Sequence, residues 1–214
     1  MEKDTAMQVA HFALGPLSTN CFLVYTKNEA IAVDPGGEPG AVLRFLKDKA
    51  LRLTHILLTH LHFDHTYGVH ALVTATGART LASGNDAHMM ENEFGLGGIW
   101  GLPEVEPFTF EFLEAGELPL LGGLCRVLPT PGHTPGGLSF YFEQLQAVFS
   151  GDALFYRSVG RTDFPGGSSD TLLHSIRTQL FTLPEETIVY SGHGPETRIG
   201  DERRNNPYAG DFRD

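Results

Sequence analysis

Cysteine is scarce in this chain: Cys21 and Cys125 are the only two among 214 residues. Each sits in an apolar, strand-like stretch, Asn20–Tyr25 and Leu124–Leu128. Thiols so placed are expected to be buried and separate, which speaks against a disulfide-stapled secreted scaffold and for the cytoplasm. Cationic residues are short as well, with 15 Lys and Arg against 26 Asp and Glu and a formal net charge of −11. That deficit argues against nucleic acid as a partner, since phosphate binding needs a basic face, though it leaves room for a local basic pocket. Long hydrophobic runs are missing too. No stretch approaches the roughly 18 apolar residues of a membrane span. The start, M-E-K-D-T-A-M-Q, has neither the basic opening nor the apolar centre of a signal peptide. The length suits one sizeable core, so a single domain over residues 1–214 is expected.

What the chain does have is concentrated in one stretch. Leu57–His65 reads L-L-T-H-L-H-F-D-H and puts His60, His62, Asp64 and His65 within six residues, after the apolar run Ile56-Leu57-Leu58. An apolar run ahead of a polar cluster reads as a buried strand emptying into a loop. Alternate side chains of an extended segment share a face, so His60 and His62 point the same way. Where the chain turns into the following helix, Asp64 and His65 are carried to the other side. One short loop can then offer two ligand pairs to two adjacent ions. Imidazole and carboxylate suit zinc, iron or manganese.

Read in order, the chain predicts strands at Met7–Leu14, Asn20–Thr26 and Ala30–Asp34, the last stopped by Asp34-Pro35-Gly36-Gly37. A helix follows over Ala41–Lys49, then strand Thr54–Leu58, helix Tyr67–Thr76, strand Arg79–Ala82 and helix Asn85–Glu93. Gly95 to Pro107, with the only tryptophan, Trp100, reads as a loop that could wall or cover the site or meet another subunit. The second half predicts strands at Phe108–Leu113, Leu124–Pro129, Leu138–Phe142, Gln146–Ser150 and Thr187–Ser191. Helices are expected at Asp170–Leu180, with Asp170 as N-cap, and at Glu196–Arg204. This order fits an α+β fold of two similar halves, a four-layer αβ/βα sandwich.

Three more strand exits carry ligand chemistry. Leu124–Pro129 runs into T-P-G-H-T-P-G-G and His133, Gln146–Ser150 into Gly151-Asp152, and Thr187–Ser191 into Gly192-His193-Gly194. A lone Gly-His or Gly-Asp is commonly a turn, but four exits bearing His or Asp point to a site built on one sheet edge. The other histidines, His11, His55, His70, His88 and His174, fit surface or packing positions. Asp34 ends an apolar strand and needs partners there; it fits either a carboxylate orienting a ligand histidine or an Asp-Pro-Gly turn.

The set H-x-H-x-D-H, G-H-T, G-D and G-H-G resembles that of the metallo-β-lactamase-fold hydrolases. Asn20–Val24 and Val33–Gly36 resemble the early strands of that superfamily, and the likeness covers nearly the whole chain. Gly160–Ser168 (G-R-T-D-F-P-G-G-S) and the ending S-G-H-G-P-E-T … N-N-P-Y resemble its small glyoxalase II-type members. The resemblance implies that His60, His62 and His133 hold one divalent ion, that Asp64, His65 and His193 hold another, and that Asp152 bridges them. It implies zinc first, with iron or manganese as alternatives, and a catalytic role for Asp64 in orienting the attacking water.

Such a centre would hydrolyse an acyl bond, and a thiolate, with a solution pKa of about 8.5, leaves without prior protonation. An amine would need a general acid, and only Tyr67 and Tyr156 stand near the motifs. The implied reaction is hydrolysis of a small-molecule thioester such as S-lactoylglutathione. Larger glyoxalase II enzymes add a C-terminal helical domain, which is not expected here, and carry a lysine and a tyrosine where Arg161 and Asp163 stand. Arg161 and Tyr156 are the substrate-binding candidates, with Arg161 equally suited to a structural pair with Asp163. The rivals are a mononuclear iron persulfide dioxygenase, whose relatives share G-R-T-D-F, and another hydrolase of the fold, such as a lactonase. Oligomeric state is left open by the sequence.

Overall fold

The computed structural model describes residues 6–99 and 101–211, so Trp100 lies outside the described residues. Two compact units are present. One runs to Leu113 and takes in Pro119–Leu124; the other comprises Glu114–Leu118 and the chain from Cys125 onward.

The first unit is built on a six-stranded sheet. β1 (Gln8–Leu14), β2 (Thr19–Tyr25) and β3 (Glu29–Val33) pair antiparallel. Helix α1 (Gly40–Asp48) then returns the chain so that β4 (Arg52–Leu57) runs parallel to β3. Parallel neighbours require such a crossover. Helices α2 (Phe63–Thr66) and α3 (Val69–Thr76) make the next one, to β5 (Arg79–Ala82). A 3-10 helix (Gly84–Glu91), α4 (Glu93–Leu96) and a long loop lead to the edge strand β6 (Glu111–Phe112). Strands β2 and β3 are buried on both faces, which is why they read as continuous apolar runs and not as alternation. One face sets Cys21, Leu23, Ala32 and Ile56 against Val42 and Leu46 of α1 and Leu72 of α3. Each fully buried aliphatic side chain there contributes about 1.5–3 kcal/mol.

The second unit holds most of β7 (Gly116–Leu120) and β8 (Gly123–Pro129), then β9 (Leu138–Phe142), β10 (Ala147–Gly151) and the hairpin β11 (Leu154–Phe155) and β12 (Ser158–Val159). It continues through α5 (Ser169–Ser175), a π-helical segment (Ile176–Leu180), β13 (Ile188–Ser191), β14 (Thr197–Arg198) and α6 (Ile199–Asn205). The main sheet runs β14-β13-β10-β9-β8-β7. β8 and β10 are both antiparallel to β9, and β13 is parallel to β10. The C-terminal ends of β8, β10 and β13 therefore share one edge, as those of β3, β4 and β5 do in the first unit. Leu172, Ile176 and Leu180 pack from the helical side onto Leu128, Val148 and Val189.

Several sequence expectations change in detail. The helix expected over Tyr67–Thr76 starts at Val69, and a separate short helix, Phe63–Thr66, precedes it. Between them lies Gly68, whose N–H donates to Pro35 O (2.7 Å) and which a Cβ would drive onto Gly37 O at 2.2 Å. The strand over Phe108–Leu113 shrinks to Glu111–Phe112. The N-cap of α5 is Ser168, which accepts from Thr171 N (3.3 Å), and Asp170 falls in the first turn, where its charge still suits the helix dipole. β7 and the β11–β12 hairpin were not expected. The helix over Glu196–Arg204 starts at Ile199, after β14.

Candidate metal centre

In the first unit Val33 faces Leu57 across the parallel pair β3–β4, so Asp34 and the segment from Leu58 to His65 leave the sheet side by side. The carboxyl ends of parallel strands are where α/β sheets build sites. Asp34 is buried and sits at φ +49°, a left-handed conformation that costs a non-glycine residue about 1–3 kcal/mol. Its hydrogen bonds explain why the strain persists. Oδ1 accepts from Thr59 N (2.8 Å), and Oδ2 accepts from Thr59 Oγ1 (2.6 Å) and His65 Nδ1 (2.9 Å). Thr59 Oγ1, its proton committed to Asp34, accepts in turn from His60 Nδ1 (3.0 Å).

One carboxylate thus orients two histidines, one directly and one through a threonine. Both keep the proton on Nδ1, which leaves Nε2 as the donor atom toward a metal. The imidazole of His60 lies 4.7 Å from that of His62 and 4.0 Å from that of His65, centroid to centroid. His62 sits in extended backbone at the N-cap of α2, while Asp64 and His65 lie on the helix. Gly36 closes the arrangement from behind: a Cβ there would stand 1.6 Å from Asp64 O.

In the second unit the three shared strand ends deliver His133, Asp152 and His193. His133 Nδ1 donates to the carbonyl of Arg161 (2.7 Å), again leaving Nε2 for a metal. Asp152 Oδ2 stands 3.6 Å from His133 Nε2 and 3.7 Å from His193 Nε2. These spacings exceed a hydrogen bond. They match two donors of one ion, since bonds of about 2.1 Å at a tetrahedral angle place donors about 3.4 Å apart. In the first unit His65 Nε2 and Asp64 Oδ2 are 3.7 Å apart in the same way. Gly160 lies between the ligands of the second unit, where a Cβ would meet Asp152 O at 1.8 Å and His133 Cβ at 3.3 Å.

All seven expected donors therefore fall in two local sets, four in one unit and three in the other. Imidazole Nε2 atoms oriented through Nδ1, together with the buried Asp64 and the partly buried Asp152, are the chemistry of a divalent-metal site. The substrate-binding candidates are placed differently. Arg161 forms a two-pronged pair with Asp163 (Nε–Oδ1 and Nη2–Oδ2, both 2.7 Å) and lies 3.9 Å from the centroid of the Phe164 ring. That pair holds the Asp163 carboxyl at about 2. Tyr156 stands at the tip of the β11–β12 hairpin, 52% exposed, under the guanidinium of Arg157. Tyr67 donates to Glu38 (3.2 Å), and partial burial, with Glu38 beside it, pushes its hydroxyl up from the usual range.

Helix α4 and its C-cap pack behind the metal loop, with Gly95 against Leu61 O and Gly97 against Phe63. His70 Nδ1 donates to Pro107 O (2.7 Å), and His11 bonds Asn20 (2.6 Å), as expected of structural histidines. Thr59, and the support that Gly160 and the Arg161 carbonyl give to the ligands, were missed by the sequence reading. Their one signal is position: each directly precedes or follows a motif residue.

The family model for the metallo-beta-lactamase superfamily matches residues 14–193. A Haemophilus influenzae protein named hydroxyacylglutathione hydrolase GloC is 38% identical over 195 residues, covering 88% of this chain and 92% of its own. The crystal structure of BLEG-1 B3 metallo-beta-lactamase superposes with a TM-score of 0.87 at 37% identity, covering 94% of this chain and 99% of that one. TTHA1623 in a di-iron-bound form superposes at 0.85 with 40% identity, covering 93% and 99%. The fold is accordingly the α+β sandwich expected, and a His/Asp donor set on such a fold supports divalent metal. Matched by the family model across most of its length and by these relatives nearly end to end, this chain belongs to the metallo-beta-lactamase superfamily of metallo-hydrolases.

Proposed function

We propose that this protein is a binuclear hydrolase that cleaves a thioester such as S-lactoylglutathione into a hydroxy acid and a free thiol. The observation that carries the reading is the Asp152 carboxylate, with one oxygen spaced as a co-ligand to both His133 and His193. In the proposed assignment, carried over from the motif resemblance, His60, His62 and His133 hold one ion, and Asp64, His65 and His193 hold the second. Asp152 serves both. Held there, two such ions would lower the pKa of a bound water toward neutrality and polarise an acyl carbonyl.

The protein's own groups then decide the substrate. Asp64, on the first turn of α2, orients the attacking water through its carboxylate. Proton delivery to a leaving group is poorly provided for: Tyr67 is engaged with Glu38, and Tyr156 is on an exposed turn. A thiolate leaves without a proton, whereas an amine does not. Arg161 is the candidate for a substrate carboxylate, which would exchange with Asp163. The 38%-identical relative named hydroxyacylglutathione hydrolase supports the thioester, and the GloC-like site is read here as acting in the cytoplasm on a small molecule.

The test compares kcat/KM for S-lactoylglutathione with that for a β-lactam, because BLEG-1 is named a metallo-beta-lactamase. Thioester turnover far above β-lactam turnover is expected. Efficient β-lactam hydrolysis without thioester hydrolysis would overturn the proposal.

A further inference from the structure

Among the described residues, the fully buried carboxylate of Glu202 on α6 lies outside the donor sets and is surrounded by hydrogen-bond donors. Oε1 accepts from Arg157 Nη1 (2.7 Å) and Thr197 Oγ1 (2.7 Å). Oε2 accepts from Arg157 N (3.0 Å) and Asn206 Nδ2 (2.8 Å). A carboxylate has about four acceptor positions, and four donors fill them. Asn206 Nδ2 also reaches Ser158 O (3.0 Å), so both the tip and the return strand of the β11–β12 hairpin are anchored to α6. Arg157 sits at φ +53° on that tip, a strained conformation for a long side chain, fixed by its backbone and its guanidinium together.

The groups that Glu202 holds belong to the segments that carry the ligands of this unit. The hairpin starts two residues after Asp152. It ends at Gly160, packed against Asp152 O and His133 Cβ, and at Arg161, whose carbonyl accepts from His133 Nδ1. Thr197 lies four residues after His193, where β14 starts. We propose that Glu202 is a positioning residue for the three-donor half of the centre. Through Arg157, Asn206 and Thr197 it sets the backbone that orients His133, Asp152 and His193. The inference rests on the reading of those residues as metal ligands. It adds that the affinity of the site for metal is set in part from the C-terminal helix.

The test is zinc affinity measured by competition with a chromophoric chelator, on the full chain below its melting temperature. Glu202→Gln keeps the shape but turns an NH2 group toward two donors. It is expected to retain the far-UV spectrum and weaken zinc binding about tenfold, at the lower end of the range for groups that support metal ligands. Glu185→Gln, which removes the exposed partner of Arg203 and Arg204 of the same helix, is expected to leave zinc affinity unchanged. If Glu202→Gln does not fold, Thr197→Val decides, with a several-fold weakening expected. Wild-type zinc affinity in a folded Glu202→Gln, or in Thr197→Val when Glu202→Gln is unfolded, overturns the proposal. So does equal weakening in Glu185→Gln. Wild-type protein that binds no zinc would instead sink the metal-centre reading itself.

Discussion

The Nδ1 proton of His65 is donated to Oδ2 of Asp34 over 2.9 Å, and the same oxygen accepts from Thr59, which receives His60. Two histidines of the first unit therefore share one orienting carboxylate. Asp34→Asn removes it with little change in shape, and asparagine tolerates the left-handed backbone at this position. Its amide can present only one acceptor oxygen to three donors. Metal affinity should fall about 10–100-fold, read by chelator competition. Unchanged affinity would mean that Asp34 serves only its turn.

Asp152→Ala removes the oxygen that stands equally far from His133 and His193. Both ions should be lost together, as read by elemental analysis after desalting. Retention of one full equivalent would contradict a shared ligand.

Arg161 has two roles that mutation can separate. Its carbonyl orients His133 and survives any side-chain change, while its guanidinium is paired with Asp163. Arg161→Ala should raise KM for a carboxylate-bearing thioester more than it lowers kcat, the pattern of lost uniform binding. An unchanged KM would leave the guanidinium as the partner of Asp163 alone. The pair also has a pH signature. With its folded pKa depressed to about 2, Asp163 adds stability that is present above the ordinary carboxylate range and lost as pH falls from about 4 toward 2. NMR titration of the Asp163 carboxyl should give a midpoint well below the ordinary value of about 3.9.

Cys21 and Cys125 are free and buried, and burial pushes both thiols well above their usual range. Neither should react with a thiol reagent in the native protein at a pH of about 8, and two should react after denaturation. Rapid labelling of native protein would show that these strands open.

Much of the fold was legible because buried strands such as β2, β3 and β10 are largely apolar runs ending in turn residues. The seven expected donors stood out in the sequence because a histidine or aspartate after such a run has few other uses. What stayed hidden obeys other rules. β7 contains Pro119, which edge strands tolerate and sequence patterns penalise. β11 and β12 are two residues each, too short for any periodicity. The support of His133 comes from a carbonyl, which every residue has, so no residue type announces it. Glu202 reads as an exposed helical charge until Arg157, Thr197 and Asn206 are seen around it.

The most direct measurement is metal content per chain, with S-lactoylglutathione hydrolysis assayed on the same sample. The account predicts about two divalent ions per chain and turnover that falls as the ions are removed. One iron per chain, no hydrolysis, and oxygen uptake with glutathione persulfide would contradict it and point to a dioxygenase.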